Sequence, residues 1–496
     1  MLLVSGCASL PSDYPRSESV AIQDYQSTPI GQKFAADEVE HPGESGFAIV
    51  RYGRPAFNIR IAMTDVAEKT LDLQVYIWEA DETGRILAER LIRAADRGVR
   101  VRLLVDDMGK GASDESFAAM DAHANIEIRI FNPFANRGAK MLGFVHDMDR
   151  VNHRMHNKIM VMDNSFAVVG GRNVGDHYFA VNPDTNFRDL DIVAVGPVVR
   201  DISGVFDHFW NGKWSIPMAA LVESPYTADG LQSVVEELRE KIAVGDYPYS
   251  VDEDVTATRA ILADLKNTLI WAPGKVVWDD PASIGETGET GEMKTGFRRK
   301  FDTVQESLII ESAYFVIGDR GVAGAKGLVD KGVRVRVLTN SLVSNDVLAA
   351  HAGHAKYRKQ LLEAGVEVYE LRADSGVIQK NWSGDSKAGL HTKALVFDNE
   401  SLFIGSYNLD PRSANINTEA GLYVESPELA AQLLAYMDGG VMPENSYRLM
   451  LDEDGDLVWV TEDDGVETRF DKDPMSTFGQ RFMSGFIGIL PIESQL

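Results

Sequence analysis

Two long stretches of the chain pass from strand to helix periodicity in the same order. In the first, "LDLQVYIW" (71–78) has a strand pattern, and "RILAERLIRAADRG" (85–98) carries apolar residues at helical spacing and stops at Gly98. "VRVRLLVDD" and "IEIRIF" then return to strand. The second stretch repeats the order with "SLIIESAYF", "GVAGAKGLVDKG", "VRVRVLTN", "KYRKQLLEAG" and "VEVYELR". Strands alternating with helices predict, in each copy, a central sheet covered by helices. The copies are in register: Asp330 of "DKGVRVRVLTN" lies 234 residues beyond Asp96 of "DRGVRVRLLVD". Such agreement indicates a tandem duplication of a unit somewhat over 150 residues.

Flanking segments follow from the same patterning. Residues 1–45 read as a tail, 46–265 as a first lobe with a mostly helical connection, 266–440 as a second lobe, and 441–496 as a hairpin plus an apolar tail. The hairpin is "YRLMLDEDGDLVWVTEDDG", with an Asp-Gly turn. In the tail, Phe478, Phe482, Phe486 and Ile489 fall at helical spacing, which suits either docking on the protein's own core or lying in a membrane interface. "DDPASIGETGETGEMK" reads as an exposed acidic loop.

Each copy ends in an apolar stretch that carries three charged or titratable residues. "HNKIMVMDNSFAVVGGRN" holds His156, Lys158 and Asp163; "HTKALVFDNESLFIGSYN" holds His391, Lys393 and Asp398. In both, Lys follows His by two, Asp by seven, Gly by fourteen (Gly170, Gly405) and Asn by seventeen (Asn173, Asn408). Read as a hairpin, each block puts His and Lys on one face. Asp-Asn sits at the turn, and the returning strand brings the glycine back beside the histidine. Asp163 and Asp398, at the tips, are then over about 20 Å of extended chain from the histidines and read as hairpin anchors.

One half-site offers an imidazole, a cation and an amide, which suits phosphate oxygens but supplies one reactive group. Two facing half-sites supply two imidazoles in opposite roles: one attacks phosphorus, the other protonates the leaving alkoxide and then deprotonates the incoming alcohol or water. Lys158, Lys393, Asn173 and Asn408 would stabilise the non-bridging oxygens. Each imidazole also needs its other nitrogen held by a carboxylate. Matching positions, eight residues before Pro197 and Pro427, supply Asp189 and Glu419, with Asp191 as a competitor in the first lobe. His146, Asp147, Asp149 and His153 in "HDMDRVNHRMH" have a metal-site flavour, but the second copy has no counterpart, and a polar rim is expected there.

Two copies of H-x-K-x4-D-x6-G-[GS]-x-N resemble the phospholipase D superfamily over most of residues 46–440. That resemblance implies a bilobed α/β fold with the active site at a pseudo-two-fold interface. It also implies a phosphohistidine intermediate, phosphodiester substrates, and neither metal nor other cofactor. His156, Lys158, Asp163, His391, Lys393 and Asp398 would form the catalytic set, with His156 as nucleophile and His391 as acid-base. "NLDPRSANINTE" and "LPIESQL" are most similar to bacterial cardiolipin synthases, which transfer phosphatidyl groups between lipid headgroups. The pattern departs at one point: Gly405-Ser406 is the commoner pair, whereas the first copy has Gly170-Gly171.

Composition adjusts this picture. With 44% hydrophobic residues the chain has a sizeable core, and its net charge of −26 disfavours nucleic acid. Phospholipids and a membrane surface are the expected partners. No apolar run approaches the roughly 18 residues needed to cross a bilayer. The single cysteine, Cys7 in "LLVSGCAS", resembles a lipobox followed by a polar tether, which implies a lipid-anchored protein of the bacterial cell envelope facing the periplasm. A hydrolase of the same superfamily, acting on lipid or nucleic acid, and a non-catalytic membrane scaffold are the alternatives.

Overall fold

The computed structural model describes residues 9–109, 111–140, 143–222, 228–245, 247, 255–283, 292–377, 386–463 and 465–496. Cys7 and the centre of the acidic loop, 284–291, lie outside them.

Two mixed sheets hold the duplicated units. The first sheet runs, edge to edge, Ile270–Ala272, Ser45–Val50, Asp191–Val195, Phe166–Gly170, Ile159–Met162, Thr70–Val75, Arg100–Asp106, Ile126–Phe131 and Ser215–Pro217. The second runs Gly274–Trp278, Ala420–Glu425, Ser401–Gly405, Lys393–Phe397, Ser307–Ser312, Arg334–Asn340, Glu367–Leu371, Ser446–Leu451, Leu457–Asp463 and Val466–Phe470. From Ser45–Val50 onward the first order matches the second strand for strand through Ser446–Leu451. The helices Glu82–Asp96 and Gly318–Val329 fill equivalent crossovers, and Gly98 and Gly332, at φ 96° and 90°, follow them in the left-handed conformation that an L side chain resists.

The expected boundaries shift. Strand Ile270–Ala272 still pairs with Ser45–Val50 of the first sheet, and the chain crosses to the second only at Pro273, not at 265. Segment 441–496 is not separate, because Ser446–Leu451 extends the second sheet against Glu367–Leu371 and the hairpin carries a third strand. Nor is 1–45 merely a tail: Pro29–Glu40 is a helix, and Arg102 and Arg129 donate to the Ser19 and Ser17 carbonyls.

The lobes share a core. Helices Pro197–Asn211 and Pro427–Gly440 lie between the sheets, and Phe206, Phe209 and Trp210 are buried in one cluster with Leu429, Leu433 and Met437. Burial of this kind stabilises by about 1.5–3 kcal/mol per large apolar side chain, which fixes the relative placement of the halves. No helix of the described residues is long and apolar enough to cross a membrane.

Candidate active site

The two His-Lys blocks form the expected hairpins. Strands Ile159–Met162 and Phe166–Gly170 pair antiparallel, as do Lys393–Phe397 and Ser401–Gly405. At the turns Asp163 and Asn164 take φ 51° and 49°, and Asp398 and Asn399 take 53° and 57°. These left-handed pairs suit a tight hairpin turn, where Asp and Asn are tolerated. Asp163 accepts hydrogen bonds from the backbone N–H groups of Glu68, Lys69 and Thr70; Asp398 accepts from those of Gln305, Glu306 and Ser307. Both aspartates thus tie hairpin tips to neighbouring strands, at the far end from the histidines.

The segment leading into each histidine pairs with the other lobe. Lys387–Leu390 runs parallel to Thr185–Arg188, and the His391 N–H donates to the Arg188 carbonyl at 2.8 Å. In the other half, Met155 bridges Thr418 and the His156 N–H donates to the Thr418 carbonyl at 2.8 Å. Each histidine therefore arrives beside the residue preceding the opposite lobe's carboxylate. His156 Nδ1 lies 2.8 Å from Glu419 Oε2, and His391 Nδ1 lies 2.7 Å from Asp189 Oδ2. Asp191 is not the partner; it pairs with Arg60 at 2.8 Å.

His156 Nδ1 also faces the Ser406 carbonyl at 3.1 Å, an obligate acceptor, so this nitrogen carries the proton and Nε2 keeps its lone pair. Burial, then the charges of Lys158 and Lys393, hold the His156 imidazole well below its usual range. Burial and Lys393 lower His391 too, opposed by Asp189. Burial pushes Glu419 up to about 7. Burial acts the same way on Asp189, but His391, Lys393 and Arg172 outweigh it and hold that carboxyl below the ordinary value. The half-sites are alike in shape and unlike in charge.

Lys158 and Lys393 are buried, each donating to the carbonyl of its own histidine at 2.5 and 2.6 Å. Burial lowers both; Lys393 adds to the lowering of Lys158, and the Asp189 and Glu419 carboxylates oppose it at both. A phosphate held between them would favour the charged form of both lysines, opposing the lowering by burial.

The glycines allow close approach. A Cβ on Gly171 would lie 2.2 Å from Asp189 Oδ1, and one on Gly170 would lie 2.5 Å from the Leu190 carbonyl. A Cβ on Gly405 would lie 2.5 Å from Gly421 Cα. In the second lobe the Ser406 hydroxyl donates to Glu419 Oε2, so the Gly-Ser departure reflects which carboxylate is being met. Asn173 is held by its Oδ1, which accepts from Ile77 N–H, and by one Nδ2 hydrogen, which it donates to Tyr178 Oη at 2.9 Å; its second amide hydrogen remains as a donor. Asn408 is buried with its Oδ1 unpartnered. Around "HDMDRVNHRMH", Asp147 pairs with Arg150, and His153 Nδ1 lies 2.6 Å from the Ile416 carbonyl; the His146 side chain lies outside the described residues.

Several supporting residues escape motif reading. Asp106 accepts from Met155 N–H at 2.9 Å, and its counterpart Asn340 brackets Leu390 through both backbone groups, which seats the residue just before each histidine. Tyr76 and Tyr178 pack edge-on against His156 and His391 at 5.0 and 5.1 Å between centroids. Asp106 and Asn340 end their strands and Tyr76 follows one, whereas Tyr178 lies in the short turn Asp176–Tyr178, which carries no such signal.

A family model described as cardiolipin synthase, PLD-like domain, matches residues 61–210 and 297–439. The chain is 38% identical over 472 residues to cardiolipin synthase C of Escherichia coli, covering 92% of this chain and 97% of that protein. It is 24% identical to the major cardiolipin synthase of Bacillus subtilis, over 78% of this chain and 67% of the other. Its fold is similar to the crystal structure of a Haemophilus influenzae phosphatidylserine synthase, with a TM-score of 0.56 at 16% identity, over 84% of this chain and 92% of that one.

Proposed function

The chain belongs to the cardiolipin synthase, phospholipase D-like family, and we propose that it transfers a phosphatidyl group from one phospholipid to the headgroup hydroxyl of phosphatidylglycerol, making cardiolipin. The observation that carries the mechanism is the crossed pairing of two imidazoles with two carboxylates of unlike charge. His156 Nε2 attacks phosphorus. The bond to the leaving headgroup oxygen breaks as His391 Nε2 gives that oxygen its proton, and the phosphatidyl group rests on His156. The acceptor hydroxyl then loses its proton to His391, attacks phosphorus and frees His156. One P–O bond is exchanged for another.

Roles follow from the carboxylates. Asp189, held anionic, opposes the lowering of His391 and favours that imidazole as the one that carries the proton to the leaving group, whereas His156, held well below its usual range, is neutral for attack. Lys158 and Lys393 neutralise the non-bridging oxygens. The two histidines are only 7% and 5% exposed, so the reacting groups are shielded from bulk solvent. A membrane surface of the cell envelope is the place of work for such lipid substrates.

The test uses phosphatidylglycerol and phosphatidylethanolamine in mixed micelles with products read by mass spectrometry. Cardiolipin from wild type and none from His156→Ala supports transfer. Phosphatidic acid alone makes the protein a hydrolase of the same superfamily.

A further inference from the structure

The helix Phe478–Ile489 turns the wrong face outward for a soluble surface. Thr477 and Gln480 form a reciprocal capping box at its start. Phe478, Phe482, Phe486 and Ile489 recur at spacings of four, four and three, which keeps them on one stripe. All four are exposed, Phe478 at 77% and Ile489 at 83%, and the rings of Phe478 and Phe482 stack at 6.3 Å. Met475, Met483 and Leu490 are exposed beside them.

The opposite face is anchored. Ser484, the helix's one buried residue, lies roughly half a turn from the stripe, and its hydroxyl is 3.0 Å from His351 Nδ1. His351 Nε2 meets Arg358, which also binds Glu370 and Asp473, the latter just before the helix. A Cβ on Gly488 would sit in ordinary contact with the Ala352 carbonyl at 3.8 Å, so this face of the helix lies against Leu348–Ala355. The orientation is fixed by a buried polar network, and the large apolar side chains cannot roll inward without breaking it.

The chain after the helix leads to the reaction site. The Leu496 carbonyl accepts from the Arg412 N–H, and Gln495 Oε1 accepts from Asn152 Nδ2 at 2.8 Å, so the tail spans both lobes. Asn152 lies four residues before His156, and the Arg412 charge reaches Tyr76, which packs on that histidine. A basic group flanks the tail. Glu493 sits against Gly318, two residues before exposed Arg320, and the charges of Arg320 and Arg298 act on Lys294, which contacts Asn415 at 2.6 Å. In a chain of net charge −26, Lys294, Arg298, Arg320 and Arg412 gather around the tail that follows the apolar stripe, with Asp319 and Glu493 among them, and this local excess of cations complements an anionic lipid surface.

We infer that the Phe478–Ile489 helix is an interfacial anchor that lays this face on an anionic phospholipid surface and presents the mouth of the His156–His391 chamber to the lipid. The inference rests on the reading of the substrate as phospholipid, and it adds the surface by which the protein meets it.

Full-length protein is floated with vesicles of phosphatidylglycerol and phosphatidylethanolamine, and the Phe482→Glu/Phe486→Glu variant is compared with wild type. Both residues are exposed, so the melting temperature is expected to hold. The variant should lose vesicle binding by about tenfold or more, keep its turnover in detergent micelles, and leave wild type binding phosphatidylcholine vesicles more weakly than anionic ones. Binding unchanged in the variant overturns the inference. So does a wild-type dimer that the variant splits while neither form floats, which would make the stripe a contact between copies. Helix-dependent flotation without phosphatidyl transfer in micelles or vesicles would uphold the anchor and overturn the transferase reading.

Discussion

Asp189 Oδ2 lies 2.7 Å from His391 Nδ1 across the lobe boundary, and the equivalent contact, Glu419 to His156, crosses in the opposite direction. Neither lobe holds a complete dyad. The duplication is therefore obligatory: one lobe alone would carry an imidazole without its carboxylate.

The two carboxylates titrate differently, and the rate should show it. Asp189 is held below the ordinary value and stays anionic at working pH, whereas Glu419, pushed up to about 7, gains its charge only as pH rises through that value. An anionic Glu419 makes the His156 Nδ1–H a better-supported donor and Nε2 a better nucleophile, so kcat/KM should climb through about pH 7. Glu419→Gln should lose that limb and fall behind wild type chiefly above it. Asp189→Asn should cost about 10^3–10^4 in kcat at every pH. An unchanged limb in Glu419→Gln would move the assignment elsewhere.

The nucleophile can be trapped. With a phosphodiester whose leaving group needs no proton, His391→Ala should still form a covalent phosphoenzyme and hydrolyse or transfer it slowly, whereas His156→Ala should form none. Acid-labile, base-stable label in a peptide containing residue 156 is the readout. Label at His391 in wild type would reverse the roles.

Much of this was legible in the sequence because duplication made it so. Two His-Lys-Asp blocks in register identified the hairpins, and counting back from Pro197 and Pro427 found Asp189 and Glu419. That each carboxylate serves the other lobe's histidine was not legible, since it follows from the parallel pairing of Lys387–Leu390 with Thr185–Arg188, a contact between distant segments. The setting of Asn173 was not legible for a related reason: its amide meets Ile77 and Tyr178, partners that no local spacing announces. Asp106 and Asn340 are chemically unlike residues at equivalent strand ends, so a search for repeated residue types passes over them.

Gly171 and Ser406 should not be interchangeable. A side chain at 171 would collide with the Asp189 carboxylate at 2.2 Å, so Gly171→Ser should cost about 1–3 kcal/mol of stability and displace Asp189 from His391. Ser406→Gly removes a donor to Glu419 and should raise the acid-limb midpoint, with a loss of about tenfold or less. Kinetics and thermal melts of both variants check the pair; a fully active Gly171→Ser would contradict the close approach.

Asp163 and Asp398 should behave as hairpin anchors, not as acids or bases. Asp163→Ala strands three backbone N–H groups at a buried site and should cost about 3 kcal/mol; Asp398, more accessible, should cost less. Below the lowered melting temperature both variants should keep kcat within about tenfold of wild type. A loss of kcat comparable to that of a histidine variant, with melting unchanged, would return these residues to the chemistry.

Arg188 and Glu311 join the lobes through a buried pair at 2.9 Å, and Arg188 also donates to the Tyr436 carbonyl at 2.6 Å. Its own carbonyl receives the His391 N–H, and Asp189 is the next residue, so this arginine ties lobe docking to the dyad. Arg188→Met leaves Glu311 buried without its charge partner and should cost about 3–5 kcal/mol. Arg188→Met/Glu311→Met removes both charges and should recover most of the melting temperature. The double variant should nonetheless remain slow, because the contact that holds strand Thr185–Arg188 against helix Pro427–Gly440 is gone and Asp189 loses its fixed approach to His391. Recovery of both stability and kcat would reduce the pair to a matter of folding; recovery of stability alone separates the positioning of Asp189 from the docking of the lobes.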